Sequence, residues 1–188
     1  MEYALKMEKV NKSFSGVPVL INVDFEVETG TIHALLGENG AGKTTLMNIL
    51  GGVIPIDTGR IELFGKETHI TSPAAAQHEG IAFVHQELNV VNDLMVYENL
   101  FLGQEIRKKM NALDKKSMIR KTREVFERMQ VDIDPSAMVR DLQASYKQIV
   151  EIARAILMNS RLIIMDEPTT SLTQPEVESV FQIMKTLT

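Results

Sequence analysis

The stretch Gly37-Glu38-Asn39-Gly40-Ala41-Gly42-Lys43-Thr44-Thr45 narrows the possible folds of this chain more than any other. It matches G-x-x-x-x-G-K-[ST], a loop that wraps backbone N–H groups around nucleotide phosphates. The composition follows from that task. The N–H groups can all turn inward only where Cβ atoms are absent, and the helix behind the loop adds a partial charge of about +0.5 at its N-terminus. Ile32, Ala34, Leu35 and Leu36 read as a short buried strand leading in; Leu46, Ile49 and Leu50 recur at helical spacing leading out. In that setting Lys43 is expected to reach the β- and γ-phosphates and the Thr44 hydroxyl to ligate Mg2+. The bland alternative, a glycine-rich turn ahead of an ordinary helix, leaves the Lys-Thr pair and the strand–loop–helix order unexplained.

A loop of this kind needs a sheet and helices behind it, and 188 residues suffice for one domain or for a large and a small subdomain. Hydrophobic residues at 44% and charged residues at 24% place the chain among ordinary globular proteins. The net charge of −5 argues against a nucleic-acid surface. The chain has no cysteine, which excludes disulfides and Cys-based zinc or redox chemistry. Met1-Glu2-Tyr3-Ala4-Leu5-Lys6 enters directly into strand-like sequence with no signal peptide, and no apolar run approaches a membrane span. A cytoplasmic protein that meets a membrane only through a partner is expected. His33, His69 and His78 show no metal-ligand spacing, His85 is expected to cap or pack, and the eleven methionines read as core filler.

Along the chain, Val23, Phe25 and Val27 alternate with Asp24, Glu26 and Glu28, the period of a strand with one wet face. The turn cluster Pro55-Ile56-Asp57-Thr58-Gly59 precedes two short strands around Arg60–Phe64 and Lys66–Ile70. Ser72-Pro73 starts a short helix, and Gly80–Val84 reads as a buried strand. From Glu87 the character changes. Met118, Thr122, Val125, Phe126 and Met129 mark one face of a charged helix, and Ile149, Ile152, Ala153 and Ile156 mark another. The reading is an α/β core over residues 1–86, an inserted helical subdomain over 87–159, and a return to the core over 160–188. Leu162–Met165 is expected to be a fully buried strand. The last helix opens with Thr173-Gln174-Pro175-Glu176, a capping box with proline in its first turn.

The apolar run Leu162-Ile163-Ile164-Met165 ends in Asp166-Glu167. A strand that ends in a carboxylate beside a phosphate loop lets Asp166 hold Mg2+, and Glu167 could then orient or deprotonate an attacking water. Four motifs occur in order: the phosphate loop, His85-Gln86-Glu87-Leu88, Leu142 through Ala155, and Met165-Asp166-Glu167-Pro168-Thr169. Together they resemble an ATP-binding cassette (ABC) ATPase over essentially the whole chain. Val84–Asn89, Tyr97–Gly103 and Ser171-Leu172-Thr173 are similar to the N-terminal cassette of bacterial monosaccharide importers.

That resemblance implies an α/β fold: a P-loop NTPase core with a RecA-like, mostly parallel sheet, an N-terminal antiparallel β subdomain and an inserted helical subdomain. It implies ATP and Mg2+ as ligands. Gly37, Asn39, Gly40, Ala41, Gly42, Lys43, Thr44 and Thr45 would hold phosphate, and Phe14 sits where the family stacks a ring on adenine. The competing reading of Phe14 is a core or hairpin residue. Gln86 matches the glutamine that contacts Mg2+ or the γ-phosphate and joins core to helical subdomain. Its alternative is an exposed loop amide. Lys43 and Glu167 would act in hydrolysis, and Thr44, Gln86 and Asp166 would serve the metal.

Two departures stand out. The signature loop, Leu-Ser-Gly-Gly-Gln-like in the family, reads Leu142-Gln143-Ala144-Ser145-Tyr146-Lys147-Gln148 here. In addition, the family carries a switch histidine on a strand after the helix that runs here from about Pro175 to Leu187. The sequence is expected to stop short of that strand. The partners implied are membrane permease subunits, a second cassette in the same full-length chain and, indirectly, a solute-binding protein, at the inner face of the cell membrane. No nucleic acid is implied. A nucleoside importer of the same branch, and a soluble ABC ATPase acting on nucleic acid or the ribosome, remain alternatives. A P-loop kinase or GTPase is disfavoured because no Asn-Lys-x-Asp motif occurs.

Overall fold

A computed structural model describes residues 2–85, 89–167 and 173–188, apart from the side chains of Glu176 and Ser179. Two compact units emerge, one of residues up to 82 together with Thr188, the other of residues 83–187.

The first unit is built on a long antiparallel hairpin, β1 (Tyr3–Phe14) and β2 (Val17–Glu28). Ser15 and Gly16 close it at φ 49° and 83°. Two positive φ values in a two-residue loop match the right-handed twist of the strands they join. The strand β3 (Thr58–Leu63) pairs with the other edge of β1, and β4 (Lys66–Glu67) completes a sheet of order β2-β1-β3-β4.

Alternation on β1 begins with Leu5 and Met7 inside. It then changes parity. Lys9 adopts φ 49°, the pairing register shifts between Met7 and Val10, and the extra residue hands the inward face to Val10 and Lys12. The Lys9 N–H donates to Asp24 Oδ1 at 2.8 Å. On β2, Val23, Phe25 and Val27 turn inward between exposed Asp24, Glu26 and Glu28, as the alternation predicts. Helix α1 (Lys43–Leu50) buries Leu46, Ile49 and Leu50. Helix α2 (Pro73–His78) starts at Ser72, whose Oγ accepts from the Ala75 N–H at 3.1 Å.

The segment expected to be a buried strand before the phosphate loop is not one. Residues 31–38 belong to no strand, and Ile32 is 45% and Leu36 87% exposed. Apolar side chains decide what a segment can bury, but a strand also needs a neighbour's N–H and C=O groups to complete its ladder. The four strands of the first sheet pair among themselves, and none of them pairs with this segment.

Strand β5 (Ile81–Val84), within which the division of the chain falls, pairs with β6 (Leu162–Met165). Between them come α3 (Val96–Leu100), α4 (Lys115–Arg128), a 3-10 turn at Val139–Asp141 and α5 (Ala144–Leu157); α6 (Gln174–Thr186) follows. The core of the second unit gathers Tyr97, Phe126, Met118, Met129, Leu100 and Ile152, each 2% exposed or less. On α4 the buried set is Met118, Thr122, Val125 and Phe126, the face that its periodicity marks. Buried Asn99 closes the loop before α3: Oδ1 accepts from the Val91 N–H at 2.7 Å, and Nδ2 donates to the carbonyls of Val91 and Met95.

Strand β6 is half-buried at every position, not fully buried as expected. Ile163 and Met165 pack on the helical core, and the two-residue period turns Leu162 and Ile164 away from it. Helix α6 buries Val180 and Ile183, and its ladder begins with Thr173 O accepting from the Val177 N–H; the Glu176 side chain of the expected capping box lies outside the described residues. No helix among the described residues is long and apolar enough to cross a membrane.

Candidate functional site

The phosphate loop takes its shape from two left-handed residues, Gly40 at φ 84° and Gly42 at φ 87°, with Gly42 as the N-cap of α1. The helical ladder begins with Leu46 N–H donating to Gly42 O at 2.9 Å, so the N–H groups of the first turn precede it and point toward the loop. Lys43 folds back across the loop. Its Nζ donates to the carbonyl oxygens of Gly37 at 2.6 Å and Glu38 at 2.9 Å. Neutral carbonyls fix the ammonium in place without cancelling its charge, which suits an anion cradle. Asn39, Ala41 and Thr44 are exposed around it and Thr45 is half-buried.

Close packing explains why position 42 is glycine. A Cβ there would come within 2.7 Å of Leu20 Cδ2, on top of a left-handed backbone that disfavours any side chain. Leu20 lies on β2, three residues beyond Val17, which pairs directly with Phe14. At about 3.4 Å per residue, the hairpin end that carries Phe14 is roughly 10 Å along the strand from the contact with the helix N-cap. Phe14 is 42% exposed, an aromatic ring presented at a hairpin end. Phosphate loop and ring thus meet the same hairpin, the ring on β1 and the loop contact on β2.

The strand-end carboxylates belong to the second unit. Asp166 N–H donates to Val84 O at 3.0 Å, and Glu167 adopts φ 43°, a left-handed conformation costly for a non-glycine residue and typical of functional turns. Both residues are exposed. His85 stacks on Phe83 with ring centroids 5.9 Å apart. Gln86, expected to meet the metal or the γ-phosphate, lies outside the described residues. No group of three or more His, Asp and Glu side chains among the described residues could hold a metal alone. The Thr44 hydroxyl in the first unit and the Asp166 carboxylate in the second are each exposed and each an oxygen ligand of the kind Mg2+ takes.

The signature-like stretch starts α5. Gln143 is its N-cap, extended at φ −64° and ψ 160°, and makes no capping hydrogen bond with its side chain. Ser145 and Gln148 are buried, whereas Tyr146 is 38% exposed. Sequence reasoning missed Glu151 on the same helix. Its Oε1 accepts from the Asn89 N–H at 2.6 Å, and among the described residues its buried Oε2 has no partner. Burial pushes its carboxyl above the usual range, against the opposing pull of the Asn89 N–H and of Arg154. The signal was present as a lone carboxylate inside Ile149-Val150-Glu151-Ile152-Ala153. Lys12 and Asp57, an ion pair beside Phe14, were also missed.

The family model described as ABC transporter matches residues 20–170. The ribose import ATP-binding protein RbsA of Bacillus licheniformis is 44% identical over 183 residues, covering 97% of this chain and 37% of that protein. A putative ribose/galactose/methyl galactoside import ATP-binding protein of Geobacillus kaustophilus is 46% identical over 187 residues, covering 99% of this chain and 37% of the relative. The chain therefore spans a little over a third of the relatives it matches. Among solved structures, the ADP conformation of an ATP-binding cassette of an ABC transporter superposes with a TM-score of 0.85 at 27% identity, covering all of this chain and 77% of that one. A nucleotide-free ATP-binding cassette from an ABC transporter gives 0.84 at 26%, again covering all of this chain and 77% of its own.

Proposed function

The chain belongs to the ABC transporter family, and from that premise we propose that it binds Mg-ATP as one cassette of an ATPase that drives monosaccharide import. The observation that carries the reading is the contact of Leu20 with Gly42, which couples an exposed aromatic hairpin to a phosphate-shaped helix start. The ring of Phe14 stacks on adenine, and the loop N–H groups with Lys43 hold the β- and γ-phosphates. Thr44, Asp166 and Gln86 would hold Mg2+, which supplies positive charge to the phosphate oxygens. Glu167 orients the attacking water and accepts its proton.

The printed names of the relatives supply the solute class, a ribose- or galactose-like sugar. Membrane permease subunits and a second cassette are the partners that such a subunit requires, with a solute-binding protein acting at a distance. The proposed location is the cytoplasmic face of the membrane. Acting from there, the cassettes close around ATP and bias the permease between its two accesses.

Calorimetric titration with ATP and Mg2+ tests the binding half, with a dissociation constant between about 1 μM and 1 mM expected. No binding in that range overturns it. Uptake of labelled ribose, galactose and a nucleoside by cells lacking the gene tests the rest. Loss of sugar uptake supports the reading, and loss of nucleoside uptake alone reassigns the solute.

A further inference from the structure

Beside Phe14 lies a buried charge that the phosphate chemistry does not use. Lys12 is only 8% exposed, and its Nζ donates to Asp57 Oδ1 at 2.7 Å. The other carboxylate oxygen, Oδ2, accepts from the Ser13 N–H at 2.7 Å. One carboxylate thus grips two consecutive residues immediately before Phe14. The Lys12 ammonium in turn sits 5.6 Å from the centroid of the Phe14 ring, within cation–π range.

The fold goes to some length to build this grip. Lys12 points inward only because the bulge at Lys9 reverses the parity of β1. Asp57 reaches it because the turn before β3 lies hard against β1: a Cβ on Gly59 would come within 2.7 Å of both Lys9 O and Val10 Cα, at φ 112°. Asn11 closes the same junction, its carbonyl accepting from the Asp57 N–H at 3.0 Å and its Nδ2 donating to Thr58 Oγ1 at 3.0 Å. Lys12 pairs across the hairpin with Leu20, the residue seated against Gly42. An ion pair with one exposed partner, here Asp57 with 41% of its side chain exposed against 10% for Lys12, adds little to stability. One that grips the backbone on the near side of an exposed ring instead fixes where the ring points.

We propose that Lys12 and Asp57 are positioning residues that hold Phe14 for adenine, so that the cassette's preference for an adenine nucleotide over its bare phosphate tail depends on them. The inference rests on the adenine-stacking reading of Phe14. Lys12 presents its charge to the ring and Asp57 locks Lys12 and the Ser13 N–H.

The test compares ATP with inorganic tripolyphosphate, which has the charge but no base, by calorimetric titration of the purified chain and its variants. Asp57→Asn should weaken ATP about fivefold, a part of the one-to-two orders of magnitude that a full base stack provides. Tripolyphosphate affinity should stay unchanged, and Asp57→Asn should cost nothing further in a Phe14→Ala background. Lys12→Met should behave as Asp57→Asn does and Lys12→Arg should retain ATP affinity; this pair decides the matter if Asp57→Asn does not fold. If Phe14→Ala weakens ATP while Lys12→Met and Asp57→Asn leave it unchanged, the inference is overturned and the adenine reading stands. Equal weakening of ATP and tripolyphosphate also overturns it, because the pair would then act on the phosphate loop. If Phe14→Ala leaves ATP affinity unchanged, the adenine reading itself fails and takes the inference with it.

Discussion

Two helices in this chain begin at motifs that stand out in the sequence, the phosphate loop and the signature-like stretch, and they begin differently. Helix α1 starts at Gly42 in a left-handed turn, with Lys43 folded back onto the loop carbonyls. Helix α5 starts at Gln143 in extended backbone, with a long side chain at the cap and Ser145 buried in the first turn. Both starts carry the same partial charge. What separates them is access: a helix N-terminus becomes an anion site only where the preceding backbone curls over it and leaves room for the anion. Gly40 and Gly42 provide that curl, whereas the backbone at Gln143 is extended and its exposed side chain makes no capping bond. The first start is a cradle and the second is not.

The comparison breaks most visibly in turnover. If the chain acts as proposed, Glu167→Gln in the full-length protein should leave ATP binding intact and lower hydrolysis by about 10²–10⁴, the range for removing a general base. Disrupting residues 143–146 should leave most turnover in place. If both changes silence hydrolysis equally, the asymmetry between the two helix starts is wrong.

Lys43→Ala removes the ammonium from the cradle and should weaken ATP by on the order of a hundredfold in a direct titration, as truncation of one partner in a buried charge contact does. Unchanged affinity would remove the cradle from the nucleotide site. A subtler probe is Gly42→Ala, which forces a side chain into a left-handed residue against Leu20. It should cost about 1–2 kcal/mol of stability. Gln143→Ala should move it by less than about 0.5 kcal/mol, because no capping bond is lost. Thermal melts of the two variants side by side measure the contrast.

The smallest effect concerns the interior of α5. Burial holds the Glu151 carboxyl above its ordinary value, so the folded chain keeps a proton that the unfolded chain releases. Stability is greatest below the unfolded value of about 4.3 and falls as pH rises through the raised folded value. Glu151→Gln keeps an acceptor for the Asn89 N–H and removes that loss. Its melting temperature should exceed the parent's by about 2 °C at pH 7–8, and the gap should close in acid.

Much of the first helix start was legible in the sequence, because glycine, lysine and threonine at fixed spacing admit few other uses. Period-3.6 patterning likewise marked the faces of α4 and α5 by residue. The misses have different tertiary causes. Leu36 is apolar, as a core strand residue should be, yet 87% exposed, because pairing partners are supplied by the rest of the fold and not by the segment. Leu162–Met165 is apolar throughout yet only half-buried, because the two-residue period turns every other side chain away from the helical core.

The sequence by itself determined the chemistry on offer: a phosphate loop with one lysine and two hydroxyls, an aromatic at position 14, and paired carboxylates after an apolar run. The tertiary structure alone decided the rest: that β1 changes parity at Lys9, turning a lysine inward at position 12, and that Asp57, distant in sequence, closes on it. Side-chain identity is local information, whereas register, bulges and burial follow from which distant backbone groups pair, and a periodicity read along one strand cannot reveal them.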